Sequence, residues 1–206
     1  VGDDPEHGEG PGHLWCIDPG YRFDGSDVSP ELALDAEGKP LPRRRVQAVD
    51  TNAGEQAVPN PDSAVVWHYT QSDVNGNGKI EYEEEFHRSI GIPAIVDDIL
   101  YVTDFSGVLH CLDAKAGKLF WSHDMFSQCW GSALVADSKV YVGNEQGDLL
   151  IFRHSPIREV ALPGGAPLAA IDMRNSMFLT PIVANNVLYV PTKNRLVAIG
   201  SADKDE

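Results

Sequence analysis

Three stretches of this chain repeat one another, and a repeat of this kind admits few folds. Residues 94–102 lead into 107–112, residues 133–142 into 147–152, and residues 181–190 into 194–199. Each begins with an apolar segment, then turns at Asp97-Asp98, Asp137-Ser138 or Asn185-Asn186. Asp, Asn and Ser tolerate the backbone of a two-residue hairpin. A Tyr-Val segment follows each turn, at Tyr101-Val102, Tyr141-Val142 and Tyr189-Val190, and then a polar turn and a third apolar segment. Gly107 and Gly147 are 40 positions apart, and Asn194 follows Gly147 by 47.

A period of about 40 residues with four short strands per unit is the signature of propeller blades. Residues 118–122 read as the fourth strand of the first unit and residues 158–162 as that of the second. Residues 64–69 read as the fourth strand of an earlier unit whose third strand is 13–17. The last unit stops after its third strand, and Val1-Gly2-Asp3-Asp4 stands where another unit's second strand would end. The expected fold is therefore all-β: a partial β-propeller of four-stranded antiparallel blades, about 3.5 blades of a larger ring. Residues 1–206 form one such fragment, with an inter-strand insertion at 19–63. A whole protein of about twice this length is expected, its other half on the same or another chain.

Residues 109–121, Leu-His-Cys-Leu-Asp-Ala-Lys-Ala-Gly-Lys-Leu-Phe-Trp, resemble the quinoprotein (PQQ-like) propeller repeat. In that pattern a strand ends in Asp, a Gly-containing turn follows, and the next strand ends in Trp. Asp113 accepts turn N–H groups, Gly117 supplies a positive φ, and Trp121 wedges between blades. Residues 14–18 keep the Asp without the short turn; Phe152-Arg153 and Ile199-Gly200 lack it. The resemblance implies a funnel where the enzymes of that family hold their quinone. Their adjacent cysteine pair is not in this sequence.

Composition narrows the partners. The formal net charge is −15, which repels nucleic acid and anionic lipid. No apolar run is long enough for a membrane span. Cys16, Cys111 and Cys129 are an odd count without metal spacing. Cys16 and Cys111 lie in apolar strand patterns, as buried thiols do.

Residues 73–84 match a twelve-residue EF-hand-type loop position by position. Asp73, Asn75 and Asn77 stand at positions 1, 3 and 5, and Gly78 at the sharp turn. Lys79 offers its backbone carbonyl, Glu81 stands at position 9, and Glu84 at 12 binds with both oxygens. A hard cation needs this many oxygens from a short stretch, so Ca2+ is the expected ion. The preceding residues read as a strand, Trp67-His68-Tyr69, and an exiting helix is expected from 82 to 88. Without an entering helix the loop is a structural brace, not a switch.

In an up-and-down blade the second-to-third connections share a face with the inter-blade connections. Residues 3–7, 104–106 and 144–146 thus join the calcium loop, 87–89, 128–132 and 174–176 on one face. Four residues there are funnel candidates. His87 and Arg88 bind an anion or solvate a helix end; Trp130 is a stacking floor or inter-blade packing; Asn175 orients a ligand or caps a turn. The insertion lies on the opposite face as an ordered excursion or docking loop, and its Arg43-Arg44-Arg45 pairs with the chain's own acidic surface.

The expected function is a non-catalytic propeller acting as a protein-binding or assembly scaffold, periplasmic or secreted, with a structural Ca2+ site. The alternative is part of a PQQ- and Ca2+-dependent alcohol or sugar dehydrogenase. A third reading is a structural subunit of a larger complex.

Overall fold

The computed structural model describes residues 12–21, 24–41 and 49–200. The turn expected at 3–7, the strand end at 1–4 and Arg43-Arg44-Arg45 lie outside these residues. The chain divides into two units, one of Val1–Leu14 with Tyr69–Glu206 and the other of Trp15–His68.

In the larger unit the strands follow the repeat. The first blade is β5 (Ala94–Val96), β6 (Ile99–Thr103), β7 (Val108–Asp113) and β8 (Leu119–Asp124), antiparallel in chain order. The second is β9 (Leu134–Ala136), β10 (Lys139–Gly143), β11 (Asp148–Arg153) and β12 (Ala169–Asp172). The third has three strands, β13 (Ile182–Ala184), β14 (Val187–Pro191) and β15 (Leu196–Gly200). The first two strands of each blade turn on a pair of residues that both have positive φ: Asp97 and Asp98, Asp137 and Ser138, Asn185 and Asn186. That is the two-residue turn whose twist matches the strands it joins. Register follows, with Tyr101 opposite Cys111 and Tyr141 opposite Ile151.

Successive blades bury apolar faces against each other. Tyr101, Cys111 and Trp121 of the first pack with Val140, Val142 and Phe152 of the second in one core. Trp121 sits between blades as expected: it is 1% exposed and donates its Nε1–H to the Ser155 carbonyl at 2.9 Å. Leu149, Met177 and Val190 form the smaller core at the third blade.

Two expectations need correction. Residues 158–162 are not the fourth strand of the second blade. They hold a single helical turn, α1 (Arg158–Ala161), and β12 pairs with β11 instead. Ala161 and Leu162 are both buried, at adjacent positions; a strand would turn one of them outward. Nor does a helix leave the loop over 82–88. Tyr82–Glu84 is one 3₁₀ turn, after which the Phe86 N–H donates to the Thr70 carbonyl at 2.6 Å. Burial of Phe86 draws the chain back beside the strand it left.

β1 (Leu14–Ile17) pairs with β4 (Val65–Tyr69), as the earlier unit's third and fourth strands should. Between them the smaller unit holds a hairpin of β2 (Glu31–Leu34) and β3 (Gln56–Pro59). Asp18, Asp24 and Asp35 each accept an N–H from two residues ahead, so the insertion is ordered by local turns.

Candidate functional site

The turn joining second and third strands is built alike in the first two blades. Asp104 Oδ1 accepts the N–H groups of Gly107 and Val108, and Asn144 Oδ1 those of Gly147 and Asp148. The turn then reaches to the preceding inter-blade stretch. Phe105 N–H donates to the Arg88 carbonyl, Glu145 N–H to Gln128, and Lys193 N–H to Ser176. A second repeated bond joins the approaches to the first strands: Ile92 N–H donates to Ser132 Oγ and Ser132 N–H to Thr180 Oγ1. Both kinds of connection therefore share one face.

On that face an aromatic row forms. The Arg88 guanidinium lies 5.5 Å from the centre of the Phe105 ring. Trp130 meets Phe105 edge-on at 4.7 Å and Phe178 at 5.8 Å. Its Nε1–H donates to Glu145 at 2.9 Å, and the residue stays 38% exposed. Trp130 thus packs between connections and remains partly exposed. Asn175 is not in this row; its amide donates to Asn194 Oδ1 at 2.8 Å, fixing a turn at the third blade.

His87 points the other way, into a buried network. Its Nδ1 lies 2.8 Å from Asp104 Oδ2, and His110 Nε2 lies 3.1 Å from the same oxygen. An ionised carboxylate only accepts, so both rings donate. His110 Nδ1 is left to accept from the Tyr69 hydroxyl at 3.2 Å. Burial works to raise the Asp104 carboxyl, but the hydrogen bonds from His110 and His87 outweigh it and hold it at about 2. The bond to Asp104 raises the His87 pKa against its partial burial. Burial, and then the charges of Asp104 and Glu84, push the Tyr69 hydroxyl up. Sequence reasoning placed Asp104 and Phe105 on this face and His110 in the repeat but singled out none of them, nor Phe178. The first was legible, since Asp104 and Asn144 occupy the same place in the repeat.

The calcium-type loop closes on itself. Asp73 accepts from the N–H groups of Asn77 and Gly78, at 3.1 and 2.8 Å. Asn75 and Asn77 accept the next N–H groups along the loop and donate their amides to Glu81. Glu84 is buried; it accepts from Val74 and Asn75 with one oxygen and from Glu81 N–H with the other. Gly76 and Gly78 take the positive φ values. Among the described residues no three Asp, Glu, His or Cys side chains converge as a metal-holding group. The Asp73 and Glu84 carboxylates are instead turned to main-chain donors, and that of Glu81 to the Asn75 and Asn77 amides. The donor set is nonetheless all oxygen, the chemistry a hard cation takes, with Asp73, Asn75, Asn77, Glu81 and Glu84 linked by these bonds and Lys79 held by its own N–H.

The sequence profile described as outer membrane protein assembly factor BamB matches residues 42–155. The chain belongs to that family. BamB of Salmonella typhimurium is 32% identical over 84 residues, which are 36% of this chain and 20% of that protein. The chain thus matches about a fifth of its curated relative. Among solved structures, BamB from Moraxella catarrhalis aligns with a TM-score of 0.48 and 18% identity, over 70% of this chain and 39% of that one. A quinohemoprotein alcohol dehydrogenase from Pseudomonas putida HK5 aligns at 0.41 and 23%, over 50% and 16%. Membership of the BamB family and the repeating sheets agree on the PQQ-like propeller fold. No described helix is long and apolar enough to cross a membrane.

Proposed function

We propose that this chain is part of a non-catalytic binding and assembly scaffold that works in the periplasm or another exported setting. The observation that carries the reading is the row Arg88, Phe105, Trp130 and Phe178 on the face shared by the turns and inter-blade connections. Arginine and aromatic side chains dominate the energetics of protein interfaces: aromatics bury large area with few rotamers to freeze, and the planar guanidinium both stacks and donates several hydrogen bonds. The family is described as an assembly factor for outer membrane proteins, which supports a protein partner. A further propeller segment is a second partner. Ile182, Val183, Leu196 and Ile199 of the third blade are exposed, apolar and strand-borne, a surface that another blade covers in a propeller.

Residues 73–84 serve this scaffold as a calcium brace in the same proposal. Asp73, Asn75, Asn77, Glu81, Glu84 and the Lys79 carbonyl hold the ion. Bound there, calcium supplies a fixed double charge that ties the loop's two ends together. Terbium, read by emission sensitised through Tyr82 beside Glu81, is expected to bind saturably and to be displaced by calcium. Asp73→Asn should weaken it about tenfold or more. Emission that never saturates would remove the calcium site.

The test of the scaffold reading is redox inactivity. With PQQ, calcium and an alcohol, no reduction of an acceptor dye above a boiled control is expected. Steady dye reduction would establish the dehydrogenase instead.

A further inference from the structure

Against the calcium-type loop, whose Asn75, Glu81 and Glu84 line one part of it, lies a cavity of about 480 Å3. Val74 and Glu83 line it together with Trp121, Asp124, Phe126 and Arg158. The volume is that of a site for a small ligand or one to two side chains.

Its lining is sorted by chemistry. Trp121 borders the cavity from within the inter-blade core and is 1% exposed. Phe126 is 81% exposed and holds a φ of 55°, a conformation costly for a bulky residue and kept only where its surroundings impose it. The Asp124 carboxylate imposes it by accepting the Phe126 N–H at 2.7 Å. Next to the loop carboxylates Glu81 and Glu84, which are engaged within the loop, the lining carries Glu83 and Asp124 against Arg158. That guanidinium is turned to the Ser122 carbonyl at 3.5 Å. Burial, and then Arg158, lower the pKa of the neighbouring His123.

We infer that this cleft docks a peptide segment of a partner protein bearing a lysine or arginine next to an aromatic or aliphatic side chain. The cation meets Glu83 and Asp124, and the apolar group lies on Phe126. An acidic segment is repelled by the same carboxylates and by a chain of net charge −15. The inference rests on the scaffold reading and gives it a second, chemically distinct contact.

The test is a 15N-NMR titration of the whole chain with N-acetyl-arginyl-phenylalanine amide, in EDTA and again in calcium. Saturable shifts are expected at the amides of Val74, Asp124 and Phe126. The glutamyl analogue should bind at least about tenfold more weakly. Glu83→Gln combined with Asp124→Asn should remove about that factor; the asparagine retains an acceptor for the Phe126 N–H. Phe126→Ala should abolish the preference for phenylalanine over glycine in the probe. Equal binding of the glutamyl analogue, shifts elsewhere on the surface, or none at millimolar probe would overturn the inference. Dye reduction by an alcohol would overturn the scaffold reading and leave these shifts unchanged, so the two fail separately.

Discussion

Asp104 shows how much one side chain can organise. Its two oxygens serve a turn, two histidine rings and the His87 N–H, all in a buried site. Removing it leaves those donors without an acceptor, and breaking such a buried charged set costs about 3–5 kcal/mol. Asp104→Ala should therefore lower the urea midpoint far more than Asp104→Asn, because asparagine already fills the matching place at position 144. The pH dependence has two arms. Asp104, held at about 2 from an ordinary 3.8, adds stability that is present above 3.8 and lost as pH falls through about 2. His87 is raised, so its share is complete below 6.5 and lost as pH rises through the folded value. Urea midpoints across pH should show both arms in the wild type and neither in Asp104→Asn. The turn was legible in the repeat, but the histidine bridge was not, since positions 87 and 104 meet only when blades pack.

At the scale of elements, the hairpins could be read directly. A pair of Asp, Asn or Ser residues between apolar runs has one good solution, and all three pairs adopt it. The fourth strands were harder. Residues 119–124 alternate around Trp121 and form β8, whereas residues 158–162 are as apolar but bury adjacent side chains and curl into a turn. Periodicity over five residues cannot separate these cases. Close packing between a turn and the next connection sets a further constraint. Gly107 has a φ of +100°, and a Cβ there would lie 2.1 Å from the Ser127 carbonyl oxygen. Gly164 also has positive φ, at +71°, but faces open space. Gly107→Ala should cost about 3 kcal/mol or more, and Gly164→Ala only about 1. Thermal or urea unfolding of the pair separates steric contact from backbone preference.

For the whole molecule, the repeat carried the architecture because each blade buries its faces on its neighbours, and a buried alternating pattern leaves its mark in sequence. The face of the aromatic row carried less. Trp130 and Arg88 stood out singly, but Phe105 and Phe178 join them only through packing of different connections. The calcium-type loop matches its pattern position by position, and its Asp73 and Glu84 carboxylates accept from its own main chain while Glu81 accepts the Asn75 and Asn77 amides. The account as a whole depends on that face being where protein partners attach. A photo-crosslinking amino acid placed at position 105 tests this in the native host, with position 115 on the exposed β7–β8 turn as control. The account predicts crosslinks to outer membrane assembly proteins at 105, absent at 115, and lost when Arg88→Glu and Trp130→Ala are added. Equal labelling at both positions, or labelling at 105 untouched by those substitutions, would contradict it.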